Sequence, residues 1–177
     1  MTANKPPSPE DDRLTDWACQ HGPAVRGYLR ALLRHPDEAD DLTQDVFRRA
    51  WRARDRYREQ GTARAYLLRI ADRLARDHAR QNRREVNLNS ESWETVEPAD
   101  TTQDPAERML QTETQRQLAA ALDSLSPTQR RVLLLRYYGQ LSFAEIAATI
   151  PCPLGTALSH CRRGLLALRE MFAETLS

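Results

Sequence analysis

The chain has 177 residues, 40% of them apolar and 6% aromatic, with 6 Gly and 10 Pro. That length allows one ordinary domain or two small ones, and the composition suits helical cores better than a large sheet or a turn-rich β-sandwich. No run of eighteen apolar residues encodes a membrane span, so direct membrane insertion is not expected. The polar, acidic stretch from Met1 to Asp12 has no secretory core. Cys19, Cys152 and Cys161 lack CxxC or Cys/His metal spacing, and so few thiols fit a reducing cytoplasm. His21, His35, His78 and His160 are scattered, and no pair sits at metal-ligand spacing. No cofactor is expected, and no nucleophile, base or metal cluster assembles to suggest an enzyme.

The net charge of +1 hides alternating blocks. Asp37 to Asp45 holds five acids and no base. Arg48 to Arg84 holds 13 arginines against four acids, a net of +9. Glu85 to Ser126 has a net of −7, and Pro127 to Ser177 a net of +3. A local basic face binds phosphates even when the rest of the chain is acidic. The plainer reading of such blocks is helices with solvated charged faces.

In chain order, Asp11 to Gln20 and Pro23 to Leu33 read as one or two helical segments interrupted at His21-Gly22-Pro23. Pro36 and Asp37 open a further helix to about Arg54, with Leu42, Val46 and Ala50 on one stripe. Thr62 is the expected N-cap of the next, which runs to about Arg84. Its apolar stripe is Leu67, Ile70, Ala71, Leu74 and His78, and the opposite stripe is Arg69, Arg73, Arg76, Arg80 and Arg83. Residues 87–112 are polar and acidic, with Pro98 and Pro105, and read as a linker. Beyond it a helix is expected to Leu125. Ser126-Pro127-Thr128-Gln129 and Ser142-Phe143-Ala144-Glu145 are then two capping boxes. The first starts a helix that Gly139 ends, and the second a short helix to Thr149. Pro151-Cys152-Pro153 is a turn, and a last helix runs from Pro153 to about Ala173. A short helix, a tight turn and a longer helix make a helix-turn-helix pattern.

The motifs carry a family resemblance. Asp40-Asp41-Leu42-Thr43-Gln44-Asp45-Val46-Phe47, then Tyr66-Leu67-Leu68-Arg69-Ile70-Ala71 with Asp77-His78, resemble region 2 of bacterial RNA polymerase sigma factors. Leu125-Ser126-Pro127 with Gln129-Arg130 and Val132 to Tyr137 resembles the start of sigma region 4. Leu141 to Phe143, Glu145 to Ala147, Pro153, Gly155-Thr156 and Ser159 continue it. With both sets in order, the chain resembles a sigma factor of the small extracytoplasmic-function (ECF) type. The resemblance implies an all-α chain of two small helical domains joined by a polar linker. It assigns 1–10 to a flexible N-terminus, 11–86 to region 2, 87–112 to the acidic linker and 113–177 to region 4.

The resemblance implies core RNA polymerase, promoter DNA and an anti-sigma factor as partners. It places Asp41, Gln44, Asp45 and Phe47 on a surface for the β′ clamp, and region 4 against the β flap. Phe47 is read either as core or as contact, and Trp51 as core. Favourable placement of acids near a helix N-terminus covers Asp37 and Glu38, but not Asp45 two turns in. Minus-ten recognition falls on Arg56, Tyr57, Arg64, Tyr66 and Arg69, where a cationic groove with pockets or stacking faces suits single-stranded DNA. Some stripe arginines are alternatively expected to pair with Asp72 or Asp77. The linker's negative charge is read as a nucleic-acid mimic in a basic polymerase channel.

Minus-thirty-five recognition falls on Ser142, Thr156, Leu158, Ser159, His160, Arg162 and Arg163. The last helix is expected to bury Ala157, Cys161, Leu165 and Leu168 and to turn Leu158, Ser159, Arg162, Arg163 and Leu166 outward. Relatives commonly carry Lys or Arg where Leu158 and His160 stand. Leu at such a position touches a thymine methyl, weakens duplex binding, or serves a protein partner. Gly164 lowers helix propensity by about 1 kcal/mol against Ala. Two functional readings follow. One is an initiation factor that binds core polymerase, directs it to promoters and assists melting. The other is a sigma-like decoy that binds an anti-sigma factor without reading DNA.

Overall fold

The computed structural model describes residues 9–33, 35–54, 62–86 and 116–175; the expected linker and the segment holding Arg56 and Tyr57 lie outside them. The chain divides into two units, Met1–Ser92 and Trp93–Ser177. All regular elements among the described residues are helices.

In the first unit three helices pack on one another: α1 (Pro9–Leu33), α2 (Pro36–Arg52) and α3 (Ala63–Val86). The expected interruption at His21-Gly22-Pro23 does not occur, because α1 runs straight through with Pro23 inside it. Proline removes the N–H that would reach the carbonyl of Cys19, typically at a cost of about 3 kcal/mol. Cys19 and Pro23 are both exposed. The compensation is tertiary: one unbroken helical register buries Trp17, Val25, Tyr28 and Leu29 together. In α2, Ala39, Val46 and Ala50 are buried and Leu42 is only half-buried. Thr62 caps α3 as expected, its hydroxyl accepting from the Ala65 amide at 3.2 Å. From α3, Leu67, Leu68, Ala71, Leu74 and Ala75 are buried, so the apolar face is wider than one stripe. Asp72 is fully buried within it. The Tyr28 hydroxyl donates to Asp72 Oδ1 at 2.8 Å, and Arg76 Nε lies 3.3 Å from Oδ2.

The second unit is built around α5 (Pro127–Tyr137), in which Val132, Leu133, Leu134 and Leu135 are consecutively buried. A helix buried on every side is the centre of its domain. A preceding helix, α4 (116–124), contributes Ala121 and Leu122, and Arg130 of α5 binds Asp123 at 2.8 Å. Both capping boxes form as expected, Ser126 with Gln129 on α5 and Ser142 with Glu145 on α6 (Phe143–Thr149). After α5 the left-handed backbone is carried by Gln140, with φ of 53°. The final helix, α7 (Leu154–Thr175), starts after the proline turn, with the Thr156 amide donating to the Pro153 carbonyl at 2.9 Å.

The buried stripe of α7 differs from the expected one. Ala157 and Cys161 are buried, but Gly164 takes the next place and Leu165 is exposed. Periodicity alone favours the leucine; the packing selects the glycine because α5 approaches there. A Cβ on Gly164 would stand 2.9 Å from Leu133 Cδ1 and 3.5 Å from Gln129 Cβ. The propensity cost therefore offsets a close helix crossing.

Two stability outcomes follow. Tyr28→Phe deprives buried Asp72 of a donor, so denaturant unfolding should show a loss of about 1–3 kcal/mol. Gly164→Val should cost a similar ~1–3 kcal/mol through overpacking against Leu133, with the loss read from the same unfolding curves.

Candidate functional site

The acidic run of α2 separates onto two faces. Asp40, Gln44 and Phe47 recur at helical spacing toward α1, whereas Asp41, Asp45 and Arg48 share the neighbouring face. Asp40 accepts from Arg26 Nε at 2.6 Å and from the second Arg26 nitrogen, and Arg30 Nη2 adds a bond at 3.2 Å. The hydrogen bond from Arg26 is the main reason its carboxyl is held at about 2 rather than 3.8; partial burial opposes and Arg30 assists. Asp41 and Gln44 are exposed and Asp45 is half-exposed. Arg48 reaches both Asp45 Oδ1 at 2.8 Å and Gln44 Oε1 at 3.1 Å.

Between α1 and α2 lies a groove of about 730 Å³. Ala18, Cys19, Gly22, Pro23, Arg26, Gly27 and Arg30 form one wall, and Asp40, Thr43, Gln44 and Phe47 the other. Of the expected polymerase contacts, the structure brings Gln44 and Phe47 together here and leaves Asp41 and Asp45 off the lining. Phe47 is half-buried, both packed and presented. The α1 wall was not legible from sequence as part of a site. Its one signal was Gly22 beside Pro23, which read instead as a helix break.

The basic face lies on α3 and the end of α2. Trp51, expected in the core, is 41% exposed, with the Arg54 guanidinium 4.8 Å from its ring centre. It projects from the last turn of α2, past the buried Ala50. Arg64 and Tyr66 are half-buried and lean on α1. Tyr66 meets Trp17 edge to face at 6.3 Å, and burial raises its hydroxyl pKa. Burial, followed by the charge of Arg64, lowers the His21 pKa. Arg76 and Arg80 pair with Asp72 and Asp77, the alternative the spacing left open. Arg69 and Arg73 are exposed and make no ion pair among the described residues. Arg56 and Tyr57 lie outside the described residues.

On the second unit, Leu158, Ser159, Arg162 and Arg163 are exposed on α7, while Thr156 and His160 are half-buried. Arg163 Nε donates to the Ser159 carbonyl at 3.4 Å. The Ser142 hydroxyl donates to Glu145 Oε2 at 2.8 Å and accepts from the Glu145 amide at 3.3 Å. Its proton is thus committed to the capping box, and giving it to a phosphate would break that bond. Burial raises the Cys161 thiol pKa, against the opposing charge of Arg136. Among the described residues no cluster of His, Cys, Asp and Glu could hold a metal ion, and no helix is long and apolar enough to cross a membrane.

A three-helix unit with an arginine face and a helix-turn-helix unit define a two-part, helical nucleic-acid-binding class. Residues 19–85 match the family model for Sigma-70 region 2, and residues 115–168 match that for Sigma-70, region 4. The ECF RNA polymerase sigma factor SigK of Mycolicibacterium vanbaalenii is 31% identical over 82% of this chain and 74% of its own length. The RNA polymerase sigma factor CarQ of Myxococcus xanthus is 32% identical over 92% of this chain and 91% of its own. Among solved structures, the sigma factor RpoE bound to the anti-sigma factor NepR, from Bartonella quintana, is similar with a TM-score of 0.74. It is 25% identical and covers 92% of this chain and 98% of its own. CnrH, in complex with the cytosolic domain of CnrY, shares the fold at a TM-score of 0.67 and 21% identity, covering 92% of this chain and 89% of its own. The chain belongs to the sigma-70 family, among the ECF RNA polymerase sigma factors. It is a transcription initiation factor that binds core RNA polymerase and directs it to promoters.

The Asp40 cluster sets an acid limb of stability. A carboxyl depressed in the folded state stabilises above its ordinary value of 3.8, and the contribution is lost as pH falls through about 2. Asp40→Asn lacks that limb: urea unfolding should place it below the parent at pH 6, with the gap closing toward pH 2.

Proposed function

We propose that the α1–α2 groove receives the polymerase β′ clamp, with Phe47 and Gln44 as the buried contacts. Asp41 and Asp45 then act at the rim, where charge governs register and association rate more than affinity. Arg69 and Arg73 track the minus-ten strand, with Arg56, Tyr57, Arg64 and Tyr66 beside them. Helix α7 lies in the minus-thirty-five major groove, where Ser159, Arg162 and Arg163 contact phosphates or bases, and its domain meets the β flap. In this reading 11–86 is the region 2 domain, 87–112 a linker and 113–177 the region 4 domain.

One observation carries the reading. A single chain pairs a helix whose Arg69 and Arg73 stay unpaired among the described residues with a helix-turn-helix whose last helix exposes Ser159, Arg162 and Arg163. The chain has no catalysis of its own and works in the cytoplasm, where polymerase and promoters are. An anti-sigma factor is a further partner, supported by the Bartonella quintana sigma factor solved with NepR. The decoy reading is favoured by Leu158 and His160 standing where relatives commonly carry Lys or Arg, and the same assay separates the two.

Transcription with purified core polymerase on genomic fragments should give discrete starts that share two upstream elements. Core binding without starts, or no binding at all, contradicts promoter selection. Arg69→Ala should weaken promoter binding and lower the salt slope by about 1, as expected for one phosphate contact. Phe47→Ala should reduce core binding in a pull-down while leaving the helical circular dichroism unchanged.

A further inference from the structure

Helix α7 carries an apolar ridge that its own fold does not use. Leu154, Leu158 and Leu165 are 50%, 44% and 41% exposed. At 3.6 residues per turn they fall on one flank, beside the buried stripe of Ala157, Cys161 and Gly164. Two of the three lie in the opening turns. In helix-turn-helix proteins, the first turns of the second helix are the part that reaches base edges. No acidic side chain occurs from Leu154 through Arg163; Arg162 stands exposed beside the ridge, and Ser159 and Arg163 are exposed farther round the helix. Such surroundings suit a polyanion: the exposed Arg162 guanidinium borders the apolar strip, and Arg163 adds a second cation farther round a helix that opens without acids.

Granting that α7 is the duplex-reading helix, we propose that Leu158, with Leu154 one turn before it, reads thymine methyl groups in the minus-thirty-five element. Leucine has no donor or acceptor. Of the groups that bases display in the major groove, only the thymine C5 methyl is apolar. Contact with that methyl removes two apolar surfaces from water together. Any other base edge beneath Leu158 would lose water from its amino, carbonyl or ring-nitrogen atoms without gaining a partner. The same side chain therefore selects a T·A pair by attraction and rejects the alternatives by desolvation. Arg162 and Arg163 hold the backbone in register while the leucine discriminates.

The test uses holoenzyme assembled from the full chain and core polymerase. It is run on duplex templates selected from a library randomised across the minus-thirty-five element. The parent protein should enrich thymine at one or two positions, and Leu158→Ala should lose one of these preferences. Replacing that thymine by deoxyuridine removes only the methyl. Open-complex formation by the parent should then fall about three- to fivefold, the scale of one buried methyl contact, while Leu158→Ala responds to neither base. Equal use of thymine and uracil by the parent overturns the proposal, as does an unchanged thymine preference in Leu158→Ala. The latter result would assign the ridge to a protein partner. A template already opened at its minus-ten element and lacking the minus-thirty-five element should be transcribed equally by both proteins. Loss of that activity in Leu158→Ala also overturns the proposal, since Leu158 would then act elsewhere. Absence of starts from the parent on every template is a different failure, that of the promoter-reading assignment itself.

Discussion

A buried carboxylate sets the first unit. Asp72 lies on the apolar side of α3, among Leu68, Ala71 and Ala75, where a lone charge is costly. Its position is sustained by the Tyr28 hydroxyl from α1 and by Arg76 one turn along α3. These bonds fix more than depth. The bond from Tyr28 ties the rotation of α3 to α1, and that rotation decides which arginines face outward. A turn of the helix by one residue would bury guanidiniums and expose leucines.

The arginines divide by what neighbouring acids leave to them. Arg26 and Arg30 are drawn onto Asp40, Arg48 onto Asp45, Arg76 onto Asp72 and Arg80 onto Asp77. Exposed pairs of this kind are worth little to stability. Their consequence is spatial, because they remove charge from some positions and leave it at Arg69 and Arg73. On α2 the same pairing occupies Asp40 and Asp45 and leaves Asp41 exposed. Asp40 is neutralised against α1, so the groove is bordered by Gln44 and Phe47 rather than by bare carboxylates.

In the second unit the decisive contact is between α5 and α7 at Gly164. With no Cβ there, Leu133 comes close, and α7 is rotated so that Leu165 faces solvent. Had a leucine taken the buried place, the exposed ridge would not exist in its present form. Packing of the core and the character of the reading surface are thus linked through one small residue.

Much of this was legible in the residues. The helices of both units, the Thr62 cap, the two capping boxes and the proline turn follow from local rules, because each depends on neighbours within four positions. The two region motifs in order also made the family legible before any fold was known. Three features were not local. The helix through Pro23 is held by burial of Trp17 with Tyr28, a gain that no turn signal reports. Trp51 is aromatic and at helical spacing, yet the last turn of α2 projects it past the core. The inward place on α7 goes to Gly164 because a second helix occupies the space a side chain would need. Sequence by itself determined which segments are helical, where they start and which family they compose, since hydrogen bonding and capping act along the chain. Only the tertiary structure decided which face of each helix is buried and which charges remain displayed, since those depend on groups far apart in sequence competing for the same volume.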